Sequence, residues 1–125
     1  MTQEEKNKQI VTTAYHRIFG DLDNAAVDNY ISKDFVQHNP TIADGPEGVK
    51  ALIQMLVSQG VQKQKIEFKH IIAEDDIVIL HSRYEMAGKE WRFIDIYRVA
   101  DNKLAEHWDA MMQMPDKRAN NNLMF

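Results

Sequence analysis

Apolar side chains recur at helical spacing in the first half of the chain and at every second position in the second half. Ile10, Val11, Ala14, Tyr15, Ile18 and Phe19 share one helical face. Thr2, Glu4 and Glu5 supply a capping hydroxyl and acids for the first turn, and Gly20 can close this helix with a left-handed cap. Asp23 or Asn24 caps a second short helix over residues 25–31, which buries Ala26, Val27, Tyr30 and Ile31. Ser32-Lys33-Asp34 reads as a turn, and residues 35–40 read as a short extended piece. The residue before a proline is biased away from helix, so Asn39 is expected to be extended. Asp44-Gly45-Pro46-Glu47 starts a third helix, with proline in the first turn and an acid at the positive end. It runs to about Gln59, buries Val49, Leu52, Ile53 and Leu56 with Met55 beside them, and ends at Gly60.

Beyond Gly60 the period changes to two. Strands are predicted over 65–73 and 77–86, with turns at Glu74-Asp75-Asp76 and at Gly88. Residues 90–114 form a long hairpin about Ala100-Asp101-Asn102-Lys103. Alternation puts Trp91, Phe93, Asp95, Tyr97 and Val99 on one face of its first strand. Ala105, His107, Asp109 and Met111 share a face of the second. Three helices followed by four strands with short connections predict an α+β domain with a mainly antiparallel sheet. Ile77-Val78-Ile79-Leu80 is apolar on both faces. The helices cover one face, and the other asks for cover, which points to a homodimer.

The chain of 125 residues suits one domain, 1–125, with residues 1–4 and 116–125 expected to be mobile. Hydrophobic content of 44% and charged content of 27% are those of a soluble globular protein. A net charge of −4 argues against nucleic acid and acidic membranes, both of which need a basic patch. The absence of cysteine removes disulfides and thiolate metal sites and favours a reducing home. No basic-then-apolar leader and no apolar run near the roughly 18 residues of a membrane span are present, so a cytoplasmic location is expected. Among seven methionines, Met55, Met86, Met111, Met112 and Met114 suit a core or an adaptable pocket wall, the core being preferred.

Asp109 leads the candidates for chemistry. A carboxylate in an apolar pocket can act as acid or base near neutral pH; the alternative is an exposed acid paired with an arginine. Asp95 lies mid-strand among Phe93, Ile94, Ile96 and Tyr97, where acids are rare unless paired or functional. It either joins the site or makes a structural ion pair with Arg83 or Arg92. His107 can orient Asp109 or polarise a carbonyl, or it can be a satisfied core histidine. His81, and the run Gln37-His38-Asn39, offer donors that could hold an enolate oxygen or could brace a loop. No helical His-x-x-x-His pair is present, so no metal is expected. No Gly-rich phosphate loop and no Gly-x-Ser-x-Gly elbow occur either. The chemistry on offer is proton transfer without a cofactor.

Taken together, Tyr30-Ile31, Phe35-Val36-Gln37-His38-Asn39-Pro40, Asp44-Gly45-Pro46-Glu47-Gly48, Asp76-Ile77-Val78-Ile79-Leu80-His81, Asp95-Ile96-Tyr97-Arg98-Val99 and Glu106-His107-Trp108-Asp109 resemble the SnoaL-like branch of the nuclear-transport-factor-2-like superfamily. That branch includes polyketide cyclases and aldol-condensation enzymes, and the resemblance covers about residues 5–115. It implies a cone-shaped α+β barrel with an internal pocket for a small molecule, often in a homodimer. It implies that Asp109 moves protons in an aldol ring closure. Asp95 stands where cyclases often carry histidine. His38, Asn39, His81 and His107 match polar pocket positions, and Trp91, Phe93 and Tyr97 are its expected apolar lining. The same fold also hosts non-catalytic binders and dimeric scaffolds, which stay open as the alternative.

Overall fold

The computed structural model describes residues 1–125. Helix α1, Gln3–Tyr15, starts on a capping box in which Thr2 and Glu5 bond each other's backbone N–H. It continues into a wider π turn, His16–Gly20. Gly20 does not take the left-handed conformation expected of it; Leu22 does, with φ 53°. Gly20 is needed for close approach instead, since a Cβ there would sit 2.9 Å from the Gln64 carbonyl oxygen. Helix α2, Asn24–Tyr30, is capped by Asp23, whose carboxylate accepts from the Ala25 N–H.

The chain then enters a strand, β1, Ile31–Gln37, where a helix end, a turn and a short extended piece were expected. β1 runs parallel to β5, with Ile31 opposite Leu104 and Gln37 opposite His107. The register breaks between Ile31 and Val36, so the turn-like Ser32-Lys33-Asp34 is absorbed as an irregularity on an edge strand. Helix α3, Gly45–Ser58, follows a tight loop. Asp44 precedes it, and its carboxylate accepts from the Gln37 N–H at 2.7 Å. A Cβ on Gly48 would collide with the Ala43 carbonyl, so this glycine lets the loop lie against the first turn of α3.

Strands β2 (Glu67–Glu74), β3 (Ile77–Met86), β4 (Lys89–Ala100) and β5 (Lys103–Gln113) form antiparallel hairpins. The sheet therefore has five strands, not four, in the order β1-β5-β4-β3-β2. Ala87-Gly88 and Asp101-Asn102 both take positive φ at two successive residues, the turn whose twist suits a two-residue hairpin. The curled sheet closes on the helices, and the core is α1 and α2 against its concave face. Val11, Ala14, Tyr15, Ile18, Val27, Val78, Leu80 and Leu104 are all but sealed from solvent. Each large apolar side chain buried this way contributes about 1.5–3 kcal/mol.

The last residues lie against the convex face of the sheet. Arg92 donates to the Leu123 carbonyl at 2.8 Å, and the Phe125 ring lies under Arg83 and edge-on to His81. The segment crosses the convex face and covers Arg92, which is 5% exposed. Ile72, Ile94 and Met112 remain exposed on that face. No helix is long and apolar enough to cross a membrane.

Candidate functional site

The concave face of the sheet, with β1 along its length, the end of α1 with the turn after it, and one side of α3 enclose a cavity of about 320 Å³. Its walls are mostly apolar. Leu52 and Met55 of α3, expected in the core, face it instead, together with Met86 and Met111. The four methionine-rich and leucine positions thus make a wall. Tyr84 and Phe93 stack at 4.2 Å on the opposite side, with Trp91 next to them. The alternation read for the hairpin is the observed one: Trp91, Phe93, Asp95, Tyr97, His107, Asp109 and Met111 all face the cavity.

Asp95 and Asp109 are directly opposite each other on β4 and β5, and Tyr97 is opposite His107. The polar groups at the floor are tied in one network. Gln37 Oε1 accepts from the Asn39 N–H at 3.0 Å, which fixes that atom as the oxygen. It lies 2.7 Å from His107 Nδ1, so Nδ1 carries a proton and donates. His107 Nε2 is 2.7 Å from Asp95 Oδ1. Those two atoms must share one proton: either a neutral acid faces a neutral imidazole, or a carboxylate faces an imidazolium. Tyr15 donates to Asp95 Oδ2 at 2.8 Å. With its proton so committed, Tyr15 accepts from the Tyr84 hydroxyl at 3.1 Å.

Asp109 has different company. Asn39 Oδ1 accepts from the backbone N–H and hydroxyl of Thr41, which turns its amide nitrogen toward Asp109. That nitrogen is 2.9 Å from both carboxylate oxygens. His107 Nε2 stands off at 3.8 Å from Oδ2. Asp109 thus keeps acceptor capacity on the cavity side.

Burial pushes the Asp95 carboxyl above the ordinary range, and hydrogen bonds from His107 and Tyr15 counter it only in part. Burial, then the nearby Asp95 charge, drives Tyr15 and Tyr97 well above the usual phenol value and raises Tyr84 as well. All three hydroxyls therefore stay protonated.

The ion pair of Asp95 with Arg83 or Arg92 does not form. Both arginines point to the convex face, Arg83 toward Glu67 and Arg92 toward Glu90. His38 and His81 are not brought into the cavity. His38 bonds Glu106 at 2.7 Å and stacks on Trp108. His81 sits on the convex face with its Nδ1 3.0 Å from that of His70. Tyr15, Gln37 and Tyr84 complete the network in their place. Gln37 was within reach of the sequence, in the run of polar groups before Pro40. Tyr15 and Tyr84 read as ordinary core aromatics.

Ligand atoms of Asp95, His107 and Asp109 lie within 4.8 Å of one another, which is the one group that could draw in a cation. Two of those atoms are already satisfied by each other across a shared proton.

A family model described as the SnoaL-like domain matches residues 12–107. The chain belongs to the SnoaL-like family. Solved structures similar to this SnoaL-like chain include TsrD from Streptomyces laurentii, 19% identical with a TM-score of 0.72, covering 89% of this chain and 91% of that one. A proposed polyketide cyclase from Acidithiobacillus ferrooxidans is 17% identical with a TM-score of 0.71, covering 89% and 91%. An LEH-like epoxide hydrolase from M. tuberculosis is 14% identical with a TM-score of 0.66, covering 86% and 84%. No curated protein sequence matches the chain. The shared feature is the cone-shaped α+β fold: helices packed on a curled, mostly antiparallel sheet.

Proposed function

We propose that this SnoaL-like protein is an enzyme that removes a proton next to a carbonyl in a small apolar compound, without a cofactor, using Asp109 as the base. The observation that carries this reading is the contrast between two opposed carboxyls in one apolar cavity. Asp95 is saturated by Tyr15 and His107, whereas Asp109 presents a carboxylate to the cavity with only Asn39 holding it. A base needs that open lone pair within about 3 Å of the proton it takes.

In the proposed step Asp109 accepts the α-proton, and the C–H electron pair moves into an enolate. The enolate carbon then attacks a second carbonyl of the same molecule, forming a C–C bond and an alkoxide. Protonated Asp109 returns its proton to that alkoxide, so the ring closes with no net loss of atoms. In an isomerisation the proton would return to a different carbon. Asn39 orients the base, and the Asp95–His107 pair supplies a neutral, proton-bearing neighbour that does not compete for the substrate's proton.

The test is solvent deuterium exchange into a panel of β-keto esters and 1,3-diketones, followed by NMR, for wild type and Asp109→Asn. The reading expects exchange in wild type and a loss of about 10²- to 10⁴-fold in the variant, the usual worth of a positioned base. Equal exchange in both would remove Asp109 from the mechanism.

A further inference from the structure

An enolate needs a donor for its oxygen, and most candidates are already engaged. Asn39 gives its amide to Asp109 and its carbonyl to Thr41. Both nitrogens of His107 are bound, one by Gln37 and one by Asp95. Tyr15 donates to Asp95, and Tyr84 donates to Tyr15. His38 and His81 lie outside the cavity, paired with Glu106 and His70.

Tyr97 is different. It is 3% exposed and lines the cavity, and its ring stacks on His107 at 4.5 Å. Its hydroxyl has no hydrogen-bond partner in the chain, although a sealed, unpartnered hydroxyl is found only at Ser82. The Tyr97 hydroxyl therefore opens on the cavity with its proton uncommitted. A hydroxyl open to the cavity with no partner in the chain is free to donate to a ligand's oxygen.

We infer that the Tyr97 hydroxyl is the donor that holds the substrate's carbonyl oxygen and stabilises the oxyanion that forms on it. Burial keeps this phenol protonated across the working pH range, so it remains a donor throughout. Its stacking on His107 fixes the ring against the Asp95–His107 pair, and Asp109 is near enough to be felt electrostatically. Donor and base thus stand at one end of the same cavity, as an enolisation requires. This assignment rests on the enolising reading of Asp109.

The experiment uses two ligands of one skeleton, 1-tetralone and tetralin, which differ by the carbonyl oxygen. Affinities are measured for wild type and Tyr97→Phe, together with the infrared carbonyl stretch of bound tetralone. Tyr97→Phe keeps the ring and its stacking, and a thermal melt checks the fold. The expected result is a five- to tenfold weaker hold on tetralone, about the worth of one hydrogen bond. Tetralin affinity should be unchanged, and the lowered carbonyl stretch should move back toward its value in an apolar solvent. Equal losses for both ligands, an unmoved stretch, or no binding of tetralone by wild type would each overturn the assignment. The two readings fail separately. If the tetralone contrast holds while exchange is indifferent to Asp109→Asn, Tyr97 stands and the base falls. If exchange depends on Asp109 but tetralone ignores Tyr97, the base stands and the donor falls.

Discussion

Asp95 and Asp109 face each other across β4 and β5, yet they make no common hydrogen bond. Asp95 is held by Tyr15 and by the proton it shares with His107, and Asp109 by Asn39. Like charges at this separation in an apolar cavity repel strongly, and the shared proton leaves the Asp95–His107 pair neutral overall.

That arrangement predicts how substitutions at Asp95 behave. Asparagine can donate to His107 and accept from Tyr15, so Asp95→Asn should fold with stability near wild type. Asp95→Ala strands two buried partners and should cost about 3–5 kcal/mol. The pH dependence has a definite sign. Burial raises the carboxyl in the folded state, so between its unfolded value, about 4, and its folded value the native state binds the extra proton. Wild-type stability relative to Asp95→Asn should be greatest below about pH 4 and decline as pH rises through the folded value. Urea unfolding of both proteins in steps of pH measures this; a difference that grows with pH would contradict it.

Gln37 sets the tautomer of His107 by accepting from Nδ1. Gln37→Leu should free the ring to place its one proton on Nε2 and donate it to an ionised Asp95, which puts a net negative charge beside Asp109. Activity should fall about 10- to 100-fold, the range seen when the group orienting a metal-bound histidine is removed. The ¹⁵N shifts of the His107 ring report the tautomer directly, and an unchanged ring signal would show that Gln37 does not control it.

Much of this site was legible in the sequence, because side chains in a strand alternate. Phase alone placed Trp91, Phe93, Asp95 and Tyr97 with His107, Asp109 and Met111. Phase failed at His81, since Ile77, Val78, Ile79 and Leu80 are apolar on both faces and give no sign of which is inward. The tail, through Phe125, covers Arg83, Arg92 and His81 on the outward face and leaves Ile72 and Ile94 exposed. β1 was hidden for another reason: its partner, β5, lies about seventy residues on, and its Ser-Lys-Asp run carries turn residues. Tyr15 was correctly placed in the core, but its hydroxyl meets Asp95 only through tertiary packing, which no local pattern encodes.

Gly48 is required by the close pass of Ala43 over the first turn of α3, not by its own backbone angles. Gly48→Ala should push that loop outward, displace Asp44 from Gln37 and carry Asn39 away from Asp109. A loss of roughly 3 kcal/mol or more in stability is expected, at the severe end for a single substitution. A variant with wild-type melting temperature and unchanged activity would show that the loop gives way freely.

Glu106 lies on the convex side, held by His38 and Arg98. The His38 bond, then the Arg98 bond, lowers its carboxyl below the usual value. Its stabilising effect is present above the unfolded carboxylate value and is lost as pH falls through the folded one. Glu106→Gln should therefore lower the melting temperature at neutral pH, with the difference closing in acid. A difference that persists undiminished at pH 2 would contradict the ionic account.

The central claim is that, of two opposed carboxyls, only Asp109 takes the substrate's proton. The most direct measurement is the rate of solvent deuterium exchange into one responsive 1,3-diketone by wild type, Asp95→Asn and Asp109→Asn, each shown to be folded. The account predicts that Asp109→Asn loses about 10²-fold or more while Asp95→Asn keeps most of the wild-type rate. The reverse order, or equal rates in all three, would contradict it.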